Sequence, residues 1–219
     1  MTQLVIFAKA PQPGKAKTRL IPALGAAGAA AFAHRLLLHT LQQALASGAN
    51  PIELCMSPAP GDAAWQGVAI AASVQQTDQG SGDLGERMAR VVKRVTQHGA
   101  AQSGKPVLLI GTDCPDLSAA RLAHAIAQLE QHDAVILPAH DGGYVLLGLK
   151  SPCPELFENM PWSTPVVAAE TLRRMAALKL QVWQGPALHD IDEPADLQHA
   201  QHLLATLNPK NPESPEPTP

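Results

Sequence analysis

The stretch Val107-Leu108-Leu109-Ile110-Gly111-Thr112-Asp113-Cys114-Pro115-Asp116-Leu117 decides how this chain folds. It opens as an apolar, β-branched run of strand length, which polar residues, a cysteine and a proline then cut off. Ser118 follows as a candidate helix N-cap, and an amphipathic run begins with Leu122. We therefore expect Asp113 just past the carboxyl end of a buried strand, which is where open α/β sheets bind ligands. Its carboxylate either caps a turn or helps to hold a hard divalent cation together with substrate phosphates.

The composition indicates a sizeable core and argues against several classes of partner. The chain has 219 residues, of which 46% are hydrophobic and 16% are charged. A net charge of −3 and an aromatic content of 3% argue against binding to nucleic acid. The three cysteines are far apart, so neither a disulfide framework nor a structural zinc site is expected. With no signal-peptide pattern and no apolar run near the ~20 residues of a membrane span, we expect a cytoplasmic protein.

Short apolar runs alternate with helical periodicities, which predicts an α/β fold with a mostly parallel sheet. The strand at 144–149 is expected to run antiparallel, because only a short turn separates it from the preceding strand. We expect one domain over residues 1–207 and a disordered, proline-rich tail over 208–219. The predicted strands are residues 4–8, 52–56, 68–74, 107–110, 133–137, 144–149 and 179–183, and the predicted helices are residues 26–47, 84–95, 122–129, 165–178 and 194–207.

A basic loop follows the first predicted strand. Residues 9–22 contain three prolines and a glycine, and four of the chain's 16 basic residues lie within eleven positions of this loop. Clustered cations with free backbone N–H groups suit a phosphate cradle, although a solvated basic turn has the same composition. The Gly-Lys-Ser/Thr spacing of a Walker loop is absent. The four basic residues are Lys9, Lys15, Lys17 and Arg19.

A glycine-rich loop, Gly80-Ser81-Gly82-Asp83-Leu84-Gly85, precedes the second predicted helix. Its Gly-x-Gly-x-x-Gly pattern does not indicate a dinucleotide site, because it follows a third strand and the next acidic residue after Glu86 is Asp113. Two interpretations stay open. The loop either presses against a ligand, since glycine permits close backbone approach, or it is a flexible linker into the helix.

Two acidic turns complete the candidate site. Asp141, which stands beside two glycines, is either a turn former or a substrate contact. The segment His189-Asp190-Ile191-Asp192-Glu193-Pro194 places three carboxylates before the last predicted helix. An aspartate there either caps the helix or serves as a second metal ligand opposite Asp113. The loops that we expect to converge at one edge of the sheet are residues 9–19, 79–87 and 112–116.

Several short motifs stand in a fixed order along the chain. They are Phe7-Ala8-Lys9-Ala10-Pro11-Gln12-Pro13-Gly14, Lys17-Thr18-Arg19-Leu20, Gln79-Gly80-Ser81-Gly82-Asp83-Leu84-Gly85-Glu86-Arg87-Met88, Gly111-Thr112-Asp113-Cys114-Pro115, Asp141-Gly142-Gly143-Tyr144, Trp162-Ser163-Thr164 and Asp190-Ile191-Asp192. Together they resemble a little-characterised bacterial family of GT-A-type nucleotide-diphospho-sugar transferases, whose members are often labelled as linked to radical-SAM or arsenosugar gene clusters. The resemblance covers residues 4–204 and implies a three-layer α/β/α, Rossmann-like fold.

More distantly, the chain is similar to enzymes that transfer nucleotides. The Lys17-Thr18-Arg19 loop and the Asp-Gly-Gly turn are similar to 2-phospholactate guanylyltransferases, and residues 191–197 are similar to sugar nucleotidyltransferases. In the latter the first aspartate helps to hold the metal, a role that carries over to Asp192. Position 115 is a proline, so the Asp-x-Asp of many glycosyltransferases is missing, and one metal carboxylate, Asp113, remains on the central loop.

The resemblance implies a metal-dependent transferase with a nucleotide-sugar donor and a small-molecule acceptor. Asp113 and Asp192 would hold Mg²⁺ or Mn²⁺, and Lys17 and Arg19 would act with Asp113 as the catalytic group. Nucleotidyl transfer with release of pyrophosphate is the alternative activity, and a non-catalytic nucleotide-binding domain is the second alternative. The predicted substrate-binding residues are Ala8, Lys9, Gly14, Lys15, Gln79, Gly80, Gly82, Asp83, Leu84, Gly85, Arg87, Asp141, Gly142, Gly143, Tyr144, Trp162 and Ser163.

Overall fold

A seven-stranded sheet lies at the centre of the part of the chain that the computed structural model describes, residues 1–97 and 104–201. The strands are β1 (Gln3–Lys9), β2 (Ile52–Ser57), β3 (Val74–Asp78), β4 (Val107–Ile110), β5 (Ala134–Pro138), β6 (Tyr144–Leu149) and β7 (Val182–Gln184). Their order across the sheet is β3-β2-β1-β4-β6-β5-β7.

Six of the strands point the same way. β1 is parallel to β2 and β4, β2 is parallel to β3, and β5 is parallel to β7, whereas β6 is antiparallel to both β4 and β5. The predicted mostly parallel sheet and the predicted antiparallel strand at 144–149 are therefore confirmed. Because the carboxyl ends of the parallel strands meet at one edge, the loops after β1, β3, β4, β5 and β7 all emerge there.

Helices cover both faces of the sheet, as the predicted three-layer arrangement requires. They are α1 (Ile21–Ala46), α2 (Leu84–Thr96), α3 (Ala119–Gln131) and α4 (Val167–Ala177). One core cluster joins α1 and α3 to Leu108, and a second joins α2 and α4 to Leu109. Successive side chains of a strand point to opposite faces, so β4 is apolar throughout because both of its faces are covered.

Local sequence explains where the helices begin. The Asp83 carboxylate accepts a hydrogen bond from the Glu86 amide, and the Glu86 carboxylate accepts one from the Asp83 amide. Together they form a capping box at the start of α2. The Ser118 hydroxyl accepts the Arg121 amide and caps α3, as predicted. In α1, Gly25 has φ +70° and interrupts the helical backbone one turn after the start.

The predicted strand at 68–74 is wrong. The strand is Val74–Asp78, and Val68 and Ile70 pack on the core from a connecting segment instead. β3 lies at the edge of the sheet and pairs only with β2, so most of its side chains are not buried and it lacks an apolar pattern. The last strand likewise begins later than predicted, at Val182 rather than at residue 179.

Three helix predictions also need correction. The helix predicted from residue 26 starts at Ile21. The predicted cap at Ser163-Thr164 with a helical Pro165 is wrong, because the Thr164 hydroxyl donates to the Pro161 carbonyl and α4 starts at Val167 without a side-chain cap. Residues 194–200 form a 3₁₀ helix, and the rest of that predicted helix, the domain end at 207 and the tail lie outside the described residues.

The segment Thr18–Ala46 is long and apolar enough to cross a membrane, with a mean hydropathy of 1.4, contrary to the expectation that no such segment exists. Length and composition are weak evidence for a span, because an apolar core helix passes the same test. Phe32, Leu36, Leu37 and Leu41 of this segment are buried in the core clusters.

Candidate functional site

One buried ammonium group joins two distant parts of the chain. Lys17 Nζ lies 2.8 Å from Asp113 Oδ1 and 2.7 Å from Asp192 Oδ1, and it donates to the Ile191 carbonyl at 2.5 Å. The Lys17 side chain is only 7% exposed, whereas the Asp113 and Asp192 side chains are 48% and 41% exposed. The two predicted metal carboxylates therefore stand side by side at the surface, with the ammonium buried behind them.

The backbone holds each of these three side chains in place. Lys17 adopts the left-handed conformation (φ 47°, ψ 47°) just before the 3₁₀ turn Thr18–Leu20. The Ile191 amide donates to the Asp113 carbonyl at 2.8 Å, and the Ile191 side chain is fully buried. This bond fixes the segment around Asp192 against the end of β4.

The structure excludes a capping role for Asp192, and a role as metal ligand stays a prediction. Glu193 is the N-cap of the following 3₁₀ helix, and the Asp196 carboxylate accepts the amides of Asp192 and Glu193. The capping groups are thus Glu193 and Asp196, which leaves the Asp192 carboxylate to contact Lys17 and, at 3.7 Å, Arg19.

The electrostatics of Lys17 keep it charged. Burial on its own lowers the pKa of an ammonium group, but the nearby charges of Asp113 and Asp192 and their hydrogen bonds outweigh burial, so the pKa of Lys17 is raised. Lys17 is therefore a permanent cation at neutral pH. Arg19, with a 63% exposed side chain, is the more exposed of the two predicted catalytic cations.

A third carboxylate, which the sequence did not single out, belongs to this acidic group. Burial, together with the charges of Asp141, Asp192 and Asp113, raises the pKa of Asp190 to about 6. Asp190 is therefore near enough to the other three aspartates for their charges to act on it. The one signal in the sequence was the clustering of Asp190 with Asp192 and Glu193.

A cavity of about 440 Å³ lies at the carboxyl edge of the sheet, and we call it the charged cavity. Asp113, Asp192 and the basic residues of the basic loop line it. Its wall includes the four basic residues of the basic loop, residues 111–113 after β4, and Leu84 of the glycine-rich loop. The predicted site residues along its wall are Ala8, Lys9, Lys15, Lys17, Arg19, Gln79, Leu84, Asp113 and Asp192.

A second cavity of about 230 Å³, which we call the apolar cavity, adjoins the first. The two share Phe7, Leu84 and Gly111 in their walls, so they are neighbouring compartments of one mouth. Leu84, a predicted substrate-binding residue, is 45% exposed at this boundary. The predicted site residues along the apolar cavity are Leu84, Asp141, Gly143, Tyr144, Trp162 and Ser163.

The glycine-rich loop is held by internal hydrogen bonds. The buried Gln79 amide donates to the Ala8 and Cys55 carbonyls, and its oxygen accepts from Arg87 Nη1. Arg87 Nε also donates to the Gly82 carbonyl. Gly80, Gly82, Asp83, Gly85 and Arg87 line neither cavity, so their predicted contacts with substrate remain predictions.

Three glycines that were predicted to bind substrate occupy positions where the backbone geometry favours glycine. A Cβ at position 85 would lie 2.7 Å from the Phe157 carbonyl and 2.9 Å from Trp162 Nε1, which is why α2 approaches Trp162 so closely. Gly142 has φ +92°, and a Cβ there would lie 2.0 Å from the Pro165 carbonyl. Gly14 has φ +74° in the basic loop and lines neither cavity.

Cavity size does not identify the site. A larger cavity, about 910 Å³, lies between α2 and residues 152–159, and Asp113 and Asp192 are not among its lining residues. The convergence of Lys17, Asp113 and Asp192 marks the smaller charged cavity instead. Cys114 is not a candidate nucleophile, because burial raises the pKa of its thiol to about 12.

Two carboxylates side by side suit a divalent cation such as Mg²⁺ or Mn²⁺. No group of three or more His, Cys, Asp or Glu side chains within residues 1–97 and 104–201 has the arrangement of a self-sufficient metal site. Mg²⁺, however, is commonly bound by one or two carboxylates plus substrate phosphates and water. Asp113 and Asp192 are half exposed and face a cavity with cations for phosphate, so this donor set fits.

Replacing Lys17 by Met should lower the free energy of unfolding by about 2 kcal/mol, because it leaves two carboxylates facing each other without a counter-charge. The cost is at the lower end of the range for broken ion pairs, because the carboxylates are half exposed. Urea unfolding without divalent cations measures it. Lys15→Met, an exposed position in the same loop, is the control and should change stability by less than about 0.5 kcal/mol. Equal effects of the two substitutions would contradict this description.

Asp190→Asn should stabilise the protein at pH 7. The folded-state pKa of Asp190 is about 6 and the ordinary value is 3.8, so folding binds a proton between these values and stability is lost as pH rises from about 4 to 6. The variant should be more stable by about 1 kcal/mol at pH 7, after allowance for solvent screening, and should match the wild type near pH 4. Unfolding midpoints measured across pH 4–8 test this, and a difference that is independent of pH would refute it.

Comparison with known proteins supports the predicted fold. The family described as "Uncharacterized protein conserved in bacteria (DUF2064)" matches residues 40–164. A solved structure from Desulfovibrio desulfuricans G20, provisionally described as a nucleotide-diphospho-sugar transferase, has 30% identity and a TM-score of 0.81, and the match covers 96% of this chain and 88% of that one. No curated protein matches the chain.

Two other solved structures share the fold at low identity. CMP:2-keto-3-deoxy-manno-octonic acid synthetase complexed with CTP has 12% identity and a TM-score of 0.56, and the match covers 94% of this chain and 99% of that one. Rv0371c from Mycobacterium tuberculosis H37Rv in complex with manganese has 14% identity and a TM-score of 0.50, and the match covers 90% of this chain and 96% of that one. The α/β fold of nucleotide-diphospho-sugar transferases and nucleotidyltransferases is thereby confirmed. The family match and the 30% identical relative together show that this chain belongs to the bacterial family DUF2064.

Proposed function

We propose that this protein is a metal-dependent transferase that uses a nucleotide-sugar donor. The observation that carries the proposal is the meeting of Asp113, Asp192 and Lys17 in a cavity that also holds Lys15 and Arg19. Two carboxylates for a divalent cation and three cations for phosphate oxygens are the groups that a nucleoside diphosphate requires. The 30% identical relative, provisionally described as a nucleotide-diphospho-sugar transferase, supports the same donor.

Each group has a task that follows from its position. Lys17 is buried, charged and held from three sides, so it supplies a fixed positive charge beside the leaving phosphate. Lys15 and Arg19 are exposed, so they would be free to contact phosphate oxygens, Arg19 with two parallel hydrogen bonds. When bound between Asp113 and Asp192, Mg²⁺ or Mn²⁺ would neutralise phosphate charge and orient the leaving group. The manganese complex of Rv0371c, which shares the fold, supports metal use.

The glycine-rich loop would position the nucleotide without contacting phosphate. Gln79 ties the loop to the end of β1 through the Ala8 carbonyl, and Arg87 ties it back to Gln79. Leu84 then projects into the mouth, where its exposed side chain can cover a base or a sugar. Gly80, Gly82, Asp83 and Gly85 belong to this proposal as shaping residues.

Nucleotidyl transfer is the second candidate, and two observations favour it. Pro115 replaces the second aspartate of the Asp-x-Asp motif, so Asp113 is the one metal carboxylate on the loop after β4. The chain also shares its fold with a CTP-bound synthetase. In that reaction the same cations would face the departing pyrophosphate of a nucleoside triphosphate.

Asp113→Asn should abolish manganese-dependent nucleotide binding and leave the fold intact, because it removes one of two charged ligands at a solvent-facing position. Calorimetric titration of UDP-sugars and nucleoside triphosphates with Mn²⁺ should show at least ~10-fold weaker binding than the wild type. Asp116→Asn, in the same loop but outside both cavities, is the control and should bind as the wild type does. Unaltered binding by Asp113→Asn would count against the metal site.

The product distinguishes the candidate activities. Glycosyl transfer should release a nucleoside diphosphate from a nucleotide sugar, whereas nucleotidyl transfer should release pyrophosphate from a nucleoside triphosphate. Both reactions should stop in EDTA, because the carboxylates alone do not neutralise phosphate. Nucleotide binding that is equally tight in EDTA, without turnover, would instead indicate a non-catalytic nucleotide-binding domain.

A further inference from the structure

We propose that the apolar cavity binds the acceptor, and that this acceptor is a neutral or cationic molecule with a ring-sized apolar body rather than a phosphorylated or carboxylated one. The inference rests on the proposed transferase function, because a donor in the charged cavity gives the neighbouring cavity its role. It goes further by assigning the acceptor's charge class.

Basic side chains line the charged cavity but not the apolar cavity. The charged cavity holds Lys9, Lys15, Lys17 and Arg19. None of the described residues that line the apolar cavity is a lysine or an arginine, and Asp141 is the one charged side chain in that lining. An anion placed there would meet a carboxylate and no counter-charge, which strongly disfavours it.

The walls of the apolar cavity favour a ring over a sugar. Tyr144 and Trp162 meet edge to face with ring centroids 6.5 Å apart, and Phe7, Leu109 and Val145 complete the apolar surface. The Tyr144 hydroxyl faces the Met88 sulfur at 3.9 Å, so the phenol offers its hydroxyl to Met88. A sugar needs a partner for each hydroxyl. Besides Asp141, Ser163 and Thr164, the polar side-chain groups of this lining are the Tyr144 hydroxyl and Trp162 Nε1, which is buried and has no hydrogen-bond partner in the described structure.

The volume sets the size of the apolar body. At about 230 Å³ the cavity is smaller than the ~300–1,000 Å³ typical of sites for drug-sized ligands, so it suits a single ring or a comparable branched group. Asp141 is fixed at the wall because its carboxylate accepts the Gly143 amide at 2.7 Å. It is therefore placed to pair with an amine or to accept from a hydroxyl of the acceptor.

A passage connects the two compartments at Gly111. This glycine lines both cavities, and a Cβ built on it would meet no atom within 4 Å, so the space above it is open. A hydroxyl or amine carried by a ring in the apolar cavity could reach across Gly111 toward a donor beside Asp113. The geometry thus allows one small acceptor to serve both cavities.

The test uses four probes that share one ring and differ in charge: benzyl alcohol, benzylamine, benzoate and phenyl phosphate. Titrated into the full chain, with Trp fluorescence and calorimetry as readouts, the alcohol and the amine should bind at least tenfold more tightly than the two anions. Asp141→Asn should weaken the binding of benzylamine more than that of benzyl alcohol, because the amide keeps an acceptor oxygen but loses the negative charge. Thr164→Lys, at an exposed position in the cavity wall, should reverse the preference in favour of the anions.

Three results would overturn the inference. The anions could bind as tightly as the neutral probe, the probe affinities could be the same in Asp141→Asn and Thr164→Lys as in the wild type, or the probes could change the fluorescence of Trp162→Phe as much as that of the wild type. Nucleotide binding with Mn²⁺ is measured on the same samples to separate this inference from the proposed function. Intact nucleotide binding with anion-preferring probes would refute the acceptor class alone. Absent nucleotide binding would refute the proposed function, and the assignment of the cavity to an acceptor would fall with it.

Discussion

The ammonium of Lys17 is the interaction on which the rest of the site depends. Asp113 and Asp192 come from opposite ends of the chain's second half, and without a cation between them they would repel each other. The buried lysine holds both carboxylates at hydrogen-bonding distance and leaves their outer sides exposed. A cavity lined by basic residues then surrounds a pair of carboxylates, which is a combination suited to a metal ion and phosphate together.

The topology of the sheet explains why these residues meet. β1 and β4 are neighbours at its centre. After β1 the chain passes to β2 on one side of them, and after β4 it passes to β5 on the other side, beyond β6. A crevice forms at such a switch point, beyond the carboxyl ends of the strands. Lys17 follows β1 and Asp113 follows β4, so both lie at this crevice, and the backbone bond from Ile191 to Asp113 adds Asp192.

The architecture could be predicted from the sequence because its signals are local. Apolar runs and helical periodicity located most elements, and Ser118 marked the start of α3 through its own side chain. β3 was misplaced because an edge strand buries little and needs no apolar pattern. The start of α4 was misplaced because Thr164 bonds to Pro161 instead of capping a helix.

The site was harder to predict, because its contacts are long-range. The motifs pointed to Lys17, Asp113 and Asp192, but no spacing in the sequence reveals that one lysine joins the two aspartates. The capping role of Glu193 and Asp196, which frees Asp192, is likewise visible only in three dimensions. The division of charge between two adjoining cavities depends on which side chains of several separate segments line each cavity.

The most direct test of the central claim is an anomalous-diffraction map from crystals grown with MnCl₂ and either UDP-glucose or CTP. The account predicts a manganese peak about 2.0–2.3 Å from one oxygen of Asp113 and one oxygen of Asp192, with phosphate oxygens completing the coordination. Nucleotide bound in the charged cavity with no manganese between these carboxylates, or manganese bound elsewhere in the protein, would contradict it.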